Sequence, residues 1–273
     1  MKLFLFVVIL ATFACAQDNA AAPSVPPNQP NDQQNGQQND QKARTLIDQA
    51  LQALGGPAYI GIQDISQEGR TYSFHLGRPN GVGTVFWRFY AYPDKERIEL
   101  TKKRDVIYLE NGDKGYEITF KGTRAEDPKD RLDYQRRHHY ALDVVLREWL
   151  HQPGTALFYD GQAVAEQKPA QQITIMNAQN EALVLYLDDN THLPIKKSFS
   201  WRDPTDKQRN VEDEVYDNYR PVQGVMTPFD VTRYFNGEMS NQRFLNSVKY
   251  NQNLNPSLFT ASITYGSDTP PKH

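Results

Sequence analysis

Ala182-Leu183-Val184-Leu185-Tyr186-Leu187 is followed by Asp188-Asp189-Asn190-Thr191 and then Leu193-Pro194-Ile195. Further on come Val215-Tyr216-Asp217-Asn218-Tyr219-Arg220, a turn at Gly224, and Pro228-Phe229-Asp230-Val231-Thr232-Arg233-Tyr234-Phe235. Asn236-Gly237 then leads into Arg243-Phe244-Leu245-Asn246-Ser247-Val248-Lys249-Tyr250. Alternating apolar and polar residues, punctuated by Asp, Asn and Gly, are the pattern of short strands joined by tight turns. From Ala182 to Asn253 the chain therefore predicts four or five strands in one antiparallel meander. One face of such a sheet is apolar, and what covers that face is the functional question.

Upstream, Ile65–Leu76, Thr84–Tyr92, Arg97–Thr101, Val106–Leu109 and Gly115–Phe120 have the same period of two, separated by Gly, Pro, Asn and Asp. In the Thr84–Tyr92 run, Val85, Trp87, Phe89 and Ala91 point one way, and Phe86, Arg88, Tyr90 and Tyr92 the other. Both faces are bulky. Two helices are expected to cover the sheet. Ala43, Leu46, Ile47, Ala50, Leu51 and Leu54 form one helical stripe, stopped by Gly55-Gly56. Asp127-Pro128 starts a second helix, whose stripe is Leu132, His139, Leu142, Val145, Leu146, Trp149 and Leu150. Its polar face, with Lys129, Arg131, Arg136, Arg137, Arg147 and Glu148, reads as solvated rather than as phosphate-binding. The fold class expected is α+β, mainly β, with amphipathic helices over the sheet.

The N-terminus carries an address. Lys2, the apolar run Leu3–Phe13 and Ala14-Cys15-Ala16 describe a signal peptide over residues 1–16, too short to span a bilayer. Ordinary cleavage before Gln17 and lipidation at Cys15, the only cysteine, are the two processing routes. The protein is therefore expected to be exported and periplasmic, with a lipid anchor on the second route. No disulfide can staple the folded part. Residues 17–41, rich in Asn, Gln and Pro, read as a disordered tether, 42–260 as the folded domain, and 261–273 as a frayed tail. Loss of Lys2 takes the net charge from −3 to −4. With no basic stripe, nucleic acid is not an expected partner.

No HExxH, P-loop, GxSxG or dinucleotide fingerprint is present. His138, His139 and His151 do not have ligand spacing. Asp188-Asp189 and Glu212-Asp213-Glu214 sit where turns and strand starts expect acids.

Three motifs carry a resemblance. They are Asp188-x-x-Thr191-x-Leu193-Pro194-Ile195-Lys196, Tyr216-x-x-Tyr219-Arg220-x-Val222-x-Gly224-Val225-x-x-Pro228, and Val248-x-x-Asn251-x-x-Leu254-Asn255-x-x-Leu258-Phe259. With Leu51-x-Ala53-Leu54-Gly55-Gly56 upstream, the segment from Lys42 to Thr260 resembles the outer-membrane lipoprotein-sorting proteins, the LolA/LolB-like carriers. The resemblance implies a half-open, strongly curved antiparallel β-barrel wrapped around helices, with an apolar cavity for acyl chains. It implies no cofactor and no catalytic residues. The lid-contacting arginine of those carriers has no single counterpart here.

On that basis the expected function is an exported carrier of lipid or lipoprotein. Its cavity would be lined by Val85, Trp87, Phe89, Ile98, Leu100, Leu185, Leu187, Ile195, Phe199, Phe229, Val231, Phe244 and Val248. The alternative is a sensor or interaction module of the same fold with a filled core, binding another envelope protein. A hydrolase using Asp188, Asp189 or the histidines is the third reading.

Overall fold

The alternation between residues 182 and 250 becomes five consecutive antiparallel strands in the computed structural model, which describes residues 30–265. The signal segment, residues 17–29 of the tether and the last eight residues lie outside the described residues. Helix α1 (Pro30–Leu54) and the turn α2 (Pro57–Ile60) precede seven strands. These are β1 (Asp64–His75), β2 (Arg78–Pro79), β3 (Thr84–Ala91), β4 (Lys95–Leu100), β5 (Val106–Asn111), β6 (Lys114–Thr119) and β7 (Gly122–Ala125). Helices α3 (Pro128–His139) and α4 (Leu142–Arg147) and a 3-10 turn (Trp149–His151) follow. The second run is β8 (Ala156–Ala165), β9 (Lys168–Met176), β10 (Ala182–Asp188), β11 (Pro194–Arg202), β12 (Arg209–Val222), β13 (Val225–Phe235) and β14 (Glu238–Tyr250).

All the strands belong to one antiparallel sheet in the order β7-β6-β5-β4-β3-β1-β14-β13-β12-β11-β10-β9-β8, with β2 paired to the end of β1. The first run walks outward from β1 to one edge. The helices carry the chain to the other edge, and the second run walks back until β14 meets β1. The sheet does not close, and it forms the curved half-barrel that the resemblance implies.

Helix α1 lies on the sheet through the stripe expected of it: Ala43, Leu46, Ile47, Ala50 and Leu54 are buried. It begins twelve residues before Lys42, inside the expected tether. Pro30 suits the first helical turn. Asn39 supplies a specific anchor, its amide donating to the Tyr159 carbonyl (2.7 Å) and accepting from the Tyr159 N–H (2.9 Å). Those backbone groups sit at a bulge in the edge strand β8, where no neighbouring strand satisfies them.

At the other end of α1, Gly55 has φ +127° and its backbone lies against Gly224 in the β12–β13 turn. A Cβ there would press into the Gly224 carbonyl oxygen. Gly55→Ala is expected to cost about 2 kcal/mol in denaturant unfolding, from strain and contact together.

The second predicted helix is broken at Tyr140-Ala141 into α3 and α4. Asp127 caps α3 as expected, accepting from the Lys129 N–H. The apolar stripe, however, serves only the later part. Val144, Val145, Leu146 and Trp149 are buried, whereas no residue of α3 is fully buried and Leu132 is 60% exposed. The tail also differs from expectation. Thr264 accepts from the Thr123 N–H (2.8 Å) and its own N–H donates to the Thr123 carbonyl (2.9 Å), so residues up to Tyr265 cover the edge strand β7.

Candidate functional site

Residues directly opposite on paired strands share a face, so the register divides the sheet. Phe86, Arg88 and Tyr90 of β3 lie opposite Gly69, Gln67 and Ile65 of β1, and those lie opposite Leu245, Val248 and Tyr250 of β14. Glu96, Ile98 and Leu100 of β4 continue this face. On the other wall, Leu183 and Leu185 lie opposite Phe199 and Lys197, which lie opposite Glu212 and Glu214, which lie opposite Phe235 and Arg233. Val231 lies opposite Arg243. This is the inner face, towards the helices.

The inner face has two halves. Under α1, α2 and α4 it is a filled apolar core containing Ile173, Ile175, Leu183, Leu185, Leu187, Phe199, Phe229 and Val248. Leu185 and Leu187 are wholly buried, and Phe199 is stacked on Tyr140 at 4.2 Å between ring centroids. Towards α3 the face turns charged. Glu214 accepts from Tyr216 Oη (2.8 Å) and faces Lys197 Nζ (3.1 Å), Arg233 Nε (2.9 Å) and an Arg243 Nη (3.4 Å). Lys197 also donates to the Tyr140 carbonyl (2.7 Å). Beside this hub, Arg88 pairs with Glu96.

Helix α3 bridges the concavity above these charges. Arg131 pairs with Glu110 on β5, and Arg136 faces Glu212 on β12 (3.5 Å) while stacking on Trp201 (3.8 Å). Five strands separate β5 from β12 in the sheet. The basic face expected to be solvated is therefore turned into the barrel, because α3 is held by ion pairs rather than by apolar burial. Arg147 of α4 likewise donates to the Ile62 carbonyl (2.9 Å) and covers the Tyr92 ring.

The electrostatics follow the geometry. Despite burial, Lys197, Arg233 and Arg243 hold the Glu214 carboxyl well below its ordinary range. Its two arginines respond oppositely. Burial opposes charge on both, but the nearer Arg233 is lifted by Glu214. Arg243 falls to about 10, from burial first and then from the adjoining Arg233. Glu212 is raised by burial in spite of Arg137 and Arg136.

The expected cavity residues are dispersed. Leu185, Leu187, Phe199, Phe229 and Val248 are inner-face residues packed in the filled core, and Val231 is buried beside the charged hub. Ile98 and Leu100 are on the inner face and half-buried. Val85, Trp87, Phe89 and Phe244 lie on the opposite face: Val85 and Phe244 both flank Arg70, and Trp87 flanks Glu68 and Glu99. That face suits aromatics because long charged side chains cover them, as Arg104 covers Trp87 at 4.0 Å. Ile195 sits in a separate small cluster with Ala165, Ala170 and Tyr186.

The acids and histidines of the hydrolase reading are committed to local structure. Asp188 accepts from the Asn190 and Thr191 N–H groups, Asp189 accepts from Gln171, and His139 meets Glu181 at 2.7 Å. Among the described residues, no three His, Cys, Asp or Glu side chains gather as a metal set. Glu212 and Glu214, read from sequence as strand-start acids, lie mid-strand and face inward. The signal that finds them is complementary charge at paired positions of successive hairpins.

No family model and no curated protein matches the chain. Solved structures do. A DUF1329 family protein from Desulfovibrio piger matches with a TM-score of 0.57 at 12% identity, covering 80% of this chain and 97% of that one. A domain assigned to outer-membrane lipoprotein sorting, from Vibrio parahaemolyticus, matches with a TM-score of 0.51 at 9% identity, covering 81% and 97%. At these identities the likeness is one of fold.

Proposed function

We propose that this chain is an exported, non-enzymatic binding protein of the cell envelope whose half-barrel shelters the acyl part of a lipid or lipoprotein beneath α3. The observation that supports this reading is the half-buried inner-face strip of Ile98, Leu100 and Tyr108. It lies in the half of the sheet that α1 and α4 do not fill, near a helix joined to both walls through polar side chains. Such a cover can lift without exposing a packed apolar face. Each sheltered methylene is worth roughly 0.8 kcal/mol, so about six supply roughly 5 kcal/mol without any change to the existing core. The lipoprotein-sorting fold is compatible with this role.

A fluorescent fatty acid titrated into the purified protein is expected to bind saturably. Leu100→Glu, which puts a charge on the strip, is expected to weaken binding about tenfold or more while leaving the circular dichroism unchanged. If the unmodified protein takes up no probe, the reading fails. The second reading, an interaction module, then gains from the complete packing around Leu183, Leu185 and Leu187.

A further inference from the structure

Charge does not balance in the recess below α3. Glu214 is one carboxylate facing three cations, and its Oε1 is shared by Arg233 and Arg243. Arg136 meets both Asp133 and Glu212, and Arg88 meets Glu96. Arg137 makes no ion pair among the described residues, although Arg233, Arg136 and Glu212 are its electrostatic neighbours. Six cations (Arg88, Arg136, Arg137, Lys197, Arg233, Arg243) thus stand against five carboxylates (Glu96, Glu126, Asp133, Glu212, Glu214), an excess of one positive charge.

The donors are also in surplus. The Nε atoms of Arg136 and Arg243 are buried without a protein hydrogen-bond partner. A buried donor left unpaired costs free energy, and one beside like charges costs more. Solvent still reaches the place, since the Arg233 and Arg243 side chains are 32% and 23% exposed. A recess that is electropositive, rich in donors and open to entry is matched to a tetrahedral oxyanion, which accepts from several guanidinium groups at once.

We propose that the recess is a phosphate-binding site with Arg137, Arg233 and Arg243 as its principal donors. The phosphate is either free or carried on a lipid headgroup, and the chemistry of recognition is the same for both.

Calorimetric titration with inorganic phosphate, against sodium chloride at matched ionic strength, tests the site directly. Saturable binding is expected, and Arg137→Gln, which disturbs no ion pair, is expected to weaken it about tenfold. Glu214→Gln, by removing a negative charge, is expected to strengthen it. If that variant does not fold, Arg137→Gln decides alone. Flotation with vesicles distinguishes the sources. Recovery with phosphatidylglycerol but not phosphatidylcholine, abolished by excess phosphate, places a headgroup in the recess. Phosphate binding without flotation makes the free anion the ligand. The proposal is overturned if phosphate and phosphatidylglycerol bind no better than the chloride control, or if Arg137→Gln binds like the unmodified protein. Uptake of a neutral fatty alcohol reports on the acyl strip separately, so a protein that takes it up but ignores phosphate loses only this inference.

Discussion

Leu185→Ala is expected to lower the free energy of unfolding by about 3–5 kcal/mol. Leu185 is wholly buried, opposite Ile173 on β9 and Lys197 on β11. Truncation removes its packing and leaves a void that cannot collapse easily, because sheet hydrogen bonds hold the neighbouring strands. It would also bring the Lys197 ammonium next to an empty apolar space. Urea denaturation with an unchanged m-value and a shifted midpoint is the expected record. A loss below about 1 kcal/mol would mean that this half of the barrel is not the rigid filled core described.

Glu214→Gln is expected to cost about 3 kcal/mol at neutral pH, since breaking a buried ionic cluster leaves the remaining charges uncompensated. Lys197, Arg233 and Arg243 would then face one another with no shared counter-ion. The pH dependence has a definite sign. Glu214 sits in the folded protein well below its ordinary 4.5. Its stabilisation is therefore fully present above that ordinary value, and is lost as pH falls through the lower folded value. Thermal melts at neutral and strongly acidic pH check this: the gap between parent and variant should be wide at neutral pH and close as acid protonates Glu214. A gap that stays constant with pH would show that the carboxylate is not the hub.

Much of the fold could be read from the chain because strands and turns are local signals. Asn236-Gly237, the Thr84–Ala91 alternation and the Ala43–Leu54 stripe each name their element without reference to anything distant. The site was harder for a physical reason. An alternating strand shows two faces, and sequence alone does not say which one meets the helices when both are bulky. In β3 the expected lining, Val85, Trp87 and Phe89, lies opposite to Phe86 and Tyr90, which are the buried pair. Charged residues mislead in the same way. Glu212, Glu214, Arg233 and Arg243 look like solvent-facing positions until strand pairing sets them against one another. The loss of apolar burial in α3 was visible only as a helix with more arginine than its stripe could explain.

Whether the half-barrel carries an acyl chain is decided by native mass spectrometry of the protein recovered gently from membranes. A population heavier by the mass of an acyl-bearing molecule is expected, returning to the bare chain mass after delipidation. Protein recovered only at its bare mass, and remaining so after incubation with membrane lipids, would contradict it.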